Sequence, residues 1–184
     1  MQQVIAAERD AHVDHQRAEC GRNVARALGD LVFDRAESII RDLADAVTAR
    51  RPGESLIGAI RRDYAEKLAR QDPTLGLSSP AFAGMVRRSP VLTGRGLEML
   101  YLRERALGDA IAAEAGRDGP ECRTVAAVLA SVHRVLYAEA EERSLAGQPR
   151  DEICAALEAA AARSFDVLEP SLGGYGVRRQ PDHR

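Results

Sequence analysis

The chain has 184 residues, 26 Lys and Arg against 28 Asp and Glu, a formal net charge of -2, and 45% apolar residues. That length suits one domain, or one domain with a small appendage, and is enough to build a core without staples. Near-neutral charge excludes a polybasic nucleic-acid coat, and Cys20, Cys122 and Cys154 lack the spacing of a disulfide scaffold or zinc framework.

No apolar run approaches the roughly 18 residues of a membrane span, and residues 1–10 carry no secretory apolar segment. A cytoplasmic protein without a membrane partner is therefore expected. Aromatics are only 4%, no alternating β-branched run is found, and Ala, Leu, Arg and Glu dominate. An all-α fold follows.

In chain order, residues 1–28 spread Val4, Ile5, Val13, Val24 and Leu28 thinly among polar residues. Such a helix has little to bury. Asp30 is a candidate N-cap for a helix with the stripe Leu31, Phe33, Ile39, Ile40, Leu43 and Val47, ended by Pro52-Gly53. Glu54-Ser55 opens a helix with Leu56, Ile60, Tyr64 and Leu68, which stops before Asp72-Pro73. After a loop over 74–79, Ser79-Pro80 and Ser89-Pro90 each read as a cap followed by proline at the first helical position. The first opens a short helix with Phe82, Met85 and Val86. The second opens a long one with Leu92, Leu97, Leu100, Tyr101, Glu104, Leu107 and Ile111. Gly94, Gly96 and Gly108 weaken it, and residues 116–119 close it. Pro120 starts a helix that ends at 146–149, and Asp151 is the expected cap of the last helix, whose stripe reaches Pro170. Residues 173–184 have no periodicity and are expected to be a disordered tail.

Six segments across residues 30–176 carry a family resemblance. They are Asp30-Leu-Val-Phe-Asp34, Arg51-Pro-Gly-Glu-Ser-Leu56, Ser79-Pro-Ala-Phe-Ala83, Arg88-Ser-Pro-Val-Leu92, Arg103-Glu-Arg-Ala-Leu107, and Phe165-Asp-Val-Leu-Glu169 with Leu172-Gly-Gly-Tyr-Gly176. In this order and spacing the chain resembles the C-terminal regulatory domain of TetR-family transcriptional regulators of the actinobacterial type. The resemblance implies a helical bundle over residues 30–172 that binds a small apolar or amphipathic effector, forms a homodimer through its last two helices and controls operator DNA. Residues 1–29 would be an atypical or truncated helix-turn-helix region, since the Tyr-Phe recognition end of the family is missing there. Arg17, Arg22, Asn23 and Arg26 are the candidate DNA contacts.

The segments matching the family's cavity supply Phe33, Tyr64, Phe82, Met85, Met99, Tyr101 and His133 as candidate ligand contacts, with core filling as the alternative for each. His133 lacks a His, Asp or Glu at i+3 or i+4, so no metal pair is expected. The candidate dimer contacts are Val125, Leu129, Val132, Leu136, Ile153, Leu157, Ala160 and Ala161, on stripes wider than one contact needs. The charged runs Arg61-Arg62-Asp63, Arg103-Glu104-Arg105 and Glu139 to Arg143 read as solvated faces. No phosphate loop, nucleophile elbow, His-Glu-x-x-His or Cys-x-x-Cys occurs, so neither a catalytic residue nor a cofactor is assigned. The competing reading is a stand-alone dimeric ligand-binding or interaction module without DNA-binding activity.

Overall fold

A computed structural model of the chain describes residues 36–178. Among them are six α-helices, one short 3-10 turn and no strand. The helices are α1 (Ala36–Thr48), α2 (Leu56–Ala69), α3 (Pro80–Arg88), α4 (Pro90–Ala115), α5 (Pro120–Leu145) and α6 (Arg150–Leu172).

The punctuation read from sequence sets most of these boundaries. Ser55, Ser79 and Ser89 are extended N-caps whose hydroxyls accept from the amides of Gly58, Phe82 and Leu92. Pro80, Pro90 and Pro120 sit at first-turn positions, where a missing N–H costs nothing. Two boundaries differ from expectation. Pro149, not Asp151, is the N-cap of α6, and Asp151 lies in the first turn, where its charge favours the helix dipole. The same helix runs through Pro170 to Leu172.

Helix α5 is the hub, packed along α4 and α6 and touched by α3 and the 3-10 turn, while α2 lies against α6. The core joins Leu43 and Val47 of α1, Ile57, Ile60 and Tyr64 of α2, Leu107 and Ile111 of α4, Leu129 and Leu136 of α5, and Leu157 and Phe165 of α6. The 74–79 loop is no bystander, because Leu75 and Leu77 are buried. Gly76 lets it lie on α5. Its φ is +87°, and a Cβ there would sit 2.9 Å from the Tyr137 carbonyl oxygen. Gly108 also faces α5, but an added Cβ would meet Ala126 at an ordinary 3.6 Å, so the packing there does not require glycine.

Residues 173–178 depart from the expected tail. They turn back over the molecule, with Tyr175 packed against the core. The Arg178 amide donates to Glu54 O at 3.1 Å, and the Gly53 amide donates to Arg178 O at 2.9 Å. Residues 179–184 lie outside the described residues.

Candidate functional site

The most unusual chemistry lies in the bundle interior, where four helices each bring a charged or polar side chain to one place. Asp42 comes from α1, Asp63, Tyr64 and Lys67 from α2, Arg103 from α4, and His133 from α5. Lys67, Arg103 and His133 are all buried, and Tyr64 is fully so.

Arg103 grips Asp42 with both prongs of its fork. Nε donates to Oδ1 at 2.6 Å and Nη2 to Oδ2 at 2.6 Å. Lys67 Nζ donates to Asp42 Oδ2 at 2.8 Å and to Asp63 Oδ2 at 2.6 Å. Two carboxylates and two cations thus balance within the cluster. Charge-assisted bonds of this kind are short and about twice as strong as neutral ones. They are needed here because a buried charge is tolerated only when paired and hydrogen-bonded.

The network continues into neutral groups. Arg103 Nη2 lies 3.1 Å from His133 Nδ1. Guanidinium has no acceptor, so Nδ1 must accept, and the neutral ring carries its proton on Nε2. Burial, reinforced by the charges of Arg103 and Lys67, holds the imidazole well below its ordinary pKa. His133 stacks edge-on against Tyr64, with ring centroids 5.2 Å apart, and Tyr64 in turn meets Phe165 at 6.5 Å. Among the described residues the buried Tyr64 hydroxyl and His133 Nε2 have no hydrogen-bond partner. Burial raises the Tyr64 hydroxyl pKa, and it also raises Asp63 against the opposing pull of Lys67.

One side of the cluster meets solvent. A cleft of about 330 Å³ between α1 and α2 is lined by Ser38, Asp42, Asp45, Arg62, Asp63 and Lys67, with Ala46 and Ala49. Polar solutes can approach the acid-base pair from this side, while Tyr64 and His133 lie deeper. Among the described residues no group of three His, Cys, Asp or Glu side chains is placed to hold a metal ion.

The structure unites only part of the predicted ligand set. Tyr64 and His133 touch, and Met99 is buried one turn before Arg103. Phe82 and Met85 are half-buried on α3. Tyr101 lies apart from these, 64% exposed on the outer face of α4. Phe33 and the candidate DNA contacts Arg17, Arg22, Asn23 and Arg26 lie outside the described residues.

The predicted dimer ridge is also placed differently. Val125, Leu129, Val132, Leu136, Ile153, Leu157 and Ala161 are buried within the subunit, and Ala160 packs against the same core. Their apolar surface is used inside one chain. The exposed apolar residues of these two helices are others: Val135, Tyr137 and Ala138 on α5, and Ala155, Ala159, Ala162 and Val167 on α6.

Sequence reading missed Asp42, Asp63, Lys67 and Arg103. It placed Arg103 and Asp63 on solvated faces, whereas they help to form the buried cluster. The signal was present. Arg103 falls midway between Met99 and Leu107 at steps of four, so it occupies the buried stripe of α4. Lys67 does the same beside Tyr64 and Leu68.

No protein-family model, curated protein or solved structure matches this chain.

Proposed function

We propose that the protein is a TetR-like transcriptional regulator of the cytoplasm. Its helical domain would dimerise and bind a small apolar or amphipathic molecule, and so govern the operator affinity of the N-terminal segment. The observation that carries this reading is the position of Asp42. It ties α1, the helix that follows the N-terminal segment, to α2, α4 and α5 through Lys67 and the Arg103–His133 contact.

A ligand reaching Tyr64 and His133 would meet one phenolic hydroxyl and one imidazole N–H among apolar walls, the composition of a small-molecule site. By engaging His133 it would alter the partner of Arg103, and hence the hold on α1. Affinity for DNA can change only by as much as the ligand prefers one arrangement of α1 over the other. No residue performs a chemical step in this mechanism.

The exposed faces of the last two helices support a homodimer. Val135 and Ala138 on α5, and Ala155, Ala159 and Ala162 on α6, recur at helical spacing on neighbouring helices. Alanine permits close approach, and a two-fold pairing would cover both strips at once.

The test is a mobility-shift titration of the full chain on the DNA upstream of its own coding sequence. Salt-sensitive, sequence-selective retardation is expected, weakened by Arg22→Ala and Arg26→Ala together. A dimer that shows no retardation even at low salt would overturn the regulator in favour of a DNA-independent dimeric binding module, the reading favoured by the missing Tyr-Phe end of the N-terminal region.

A further inference from the structure

A second cleft lies at the far end of α1. Here the junction between α1 and α2, the last turn of α4 and the returning C-terminal segment enclose about 640 Å³. This falls in the range of small-molecule sites, about 300–1,000 Å³. Its apolar wall is Leu56, Ile111, Ala115 and Val177, and its basic side chains are Arg50, Arg117 and Arg178, against the single carboxylate Glu114.

The three arginines are held differently. Arg50 is buried, donates to Val47 O at 2.8 Å and pairs with Glu114, while its Nε has no partner among the described residues. Arg178 uses only Nη1, which donates to Arg50 O at 2.6 Å and Thr48 O at 2.9 Å. Thr48 is the last residue of α1 and Arg50 lies just beyond it, so the guanidinium sits at the negative end of a helix dipole and keeps the rest of its fork unengaged. Arg117 is 62% exposed and meets Glu121 at 3.1 Å, a pairing that solvent screens. Even with Glu114 and Glu121 both counted against the three arginines, the cleft keeps one surplus positive charge. Tyr175 adds a phenol at the rim; burial raises its pKa and the nearby Arg117 opposes this.

We infer that this cleft is a binding site for an amphipathic carboxylate, distinct from the Tyr64–His133 centre. The carboxylate takes the open fork of Arg178 and displaces the screened Glu121 from Arg117, and the chain lies on Leu56, Ile111 and Val177. Planar, bidentate recognition of carboxylate is what arginine does best. The C-terminal strap forms one wall, so binding also fastens it. Gly176, at φ +62°, brings the strap so close to Leu56 that an added Cβ would sit 2.8 Å from Leu56 Cγ.

The test is calorimetric titration of the full chain with sodium decanoate and, separately, decan-1-ol. Decanoate is expected to bind at one site per chain and decanol much more weakly. Arg117→Ala and Arg178→Ala should each weaken decanoate by about tenfold or more. Tyr64→Phe and His133→Gln should leave it unchanged, which separates this site from the proposed effector centre. Arg178→Lys should recover only part of the loss, and a far-ultraviolet melt verifies that each variant is folded. Decanoate should also slow tryptic cleavage after Arg178. Equal binding of decanol, indifference to both arginine changes, or loss on the Tyr64 and His133 changes alone would each overturn the inference.

Discussion

At the residue scale the buried ion cluster sets the strongest expectations. Breaking such a pair from one side leaves an uncompensated charge in the interior. Asp42→Asn, or Arg103→Met alone, should therefore destabilise the fold by about 3–5 kcal/mol, read from urea denaturation. Removing all four charges with neutral residues of similar volume should cost much less than the single changes add up to, because no orphan charge remains. His133 predicts a pH dependence. Unfolded, its imidazole titrates near the ordinary value of about 6.5. Folded, burial and the neighbouring cations hold it well below that value. Between the two, only the unfolded chain takes up the proton. Stability is complete above about pH 6.5 and falls as pH drops through that value, by up to about 1.4 kcal/mol per pH unit. Asp63, whose pKa is raised, gives the opposite slope, beginning above its ordinary 3.8. Comparing His133→Gln with the parent chain over mildly acidic pH isolates the histidine, and the variant should lose this slope.

At the element scale the helices are set by caps that sequence makes visible. Ser89 ends α3 and caps α4, so Ser89→Ala should cost about 1 kcal/mol in a thermal melt. The glycines of α4 divide into two kinds. Gly108 faces α5, whereas nothing lies within 4 Å of a Cβ added at Gly94 or Gly96. Gly94→Ala and Gly96→Ala should each stabilise the protein by roughly 0.5–1 kcal/mol, an effect on helix formation with no new contact. The rotational phase of α4 was not legible in the same way. Leu92, Leu107 and Ile111 of the expected stripe are buried, yet Leu97 and Tyr101 are more than 60% exposed, and Met99 and Arg103 complete the buried face instead. A charged residue on that line looks like the polar side of the helix until Asp42 arrives from α1.

At the scale of the whole molecule, the burial of Leu129 and the exposure of Val135 separate folding from association. Leu129→Ala should destabilise the subunit by about 2–5 kcal/mol through a core cavity. Val135→Arg combined with Ala159→Glu should leave the melting transition of the subunit nearly in place. Sedimentation should show the same pair converting dimer to monomer. A parent chain that is a folded monomer at micromolar concentration would remove the mechanical basis of the proposed regulator.

The sequence by itself determined that the described chain is helical and where most helices start and stop. Those features depend on local chemistry: helix-forming residues, serine caps, first-turn prolines and glycine-rich breaks. It also placed Tyr64 and His133 in the same candidate set. Only the tertiary structure decided which face of each helix is inside, why Arg103 and Lys67 are buried, and that residues 173–178 fold back onto the end of α1. The stabilisation of a buried charge depends on its opposite charge, and the Asp42 carboxylate that holds Arg103 lies 61 residues away, as the Arg50 carbonyl that holds Arg178 lies 128 residues away. Periodicity reports one helix at a time, whereas pairing across such separations exists only once the helices have packed.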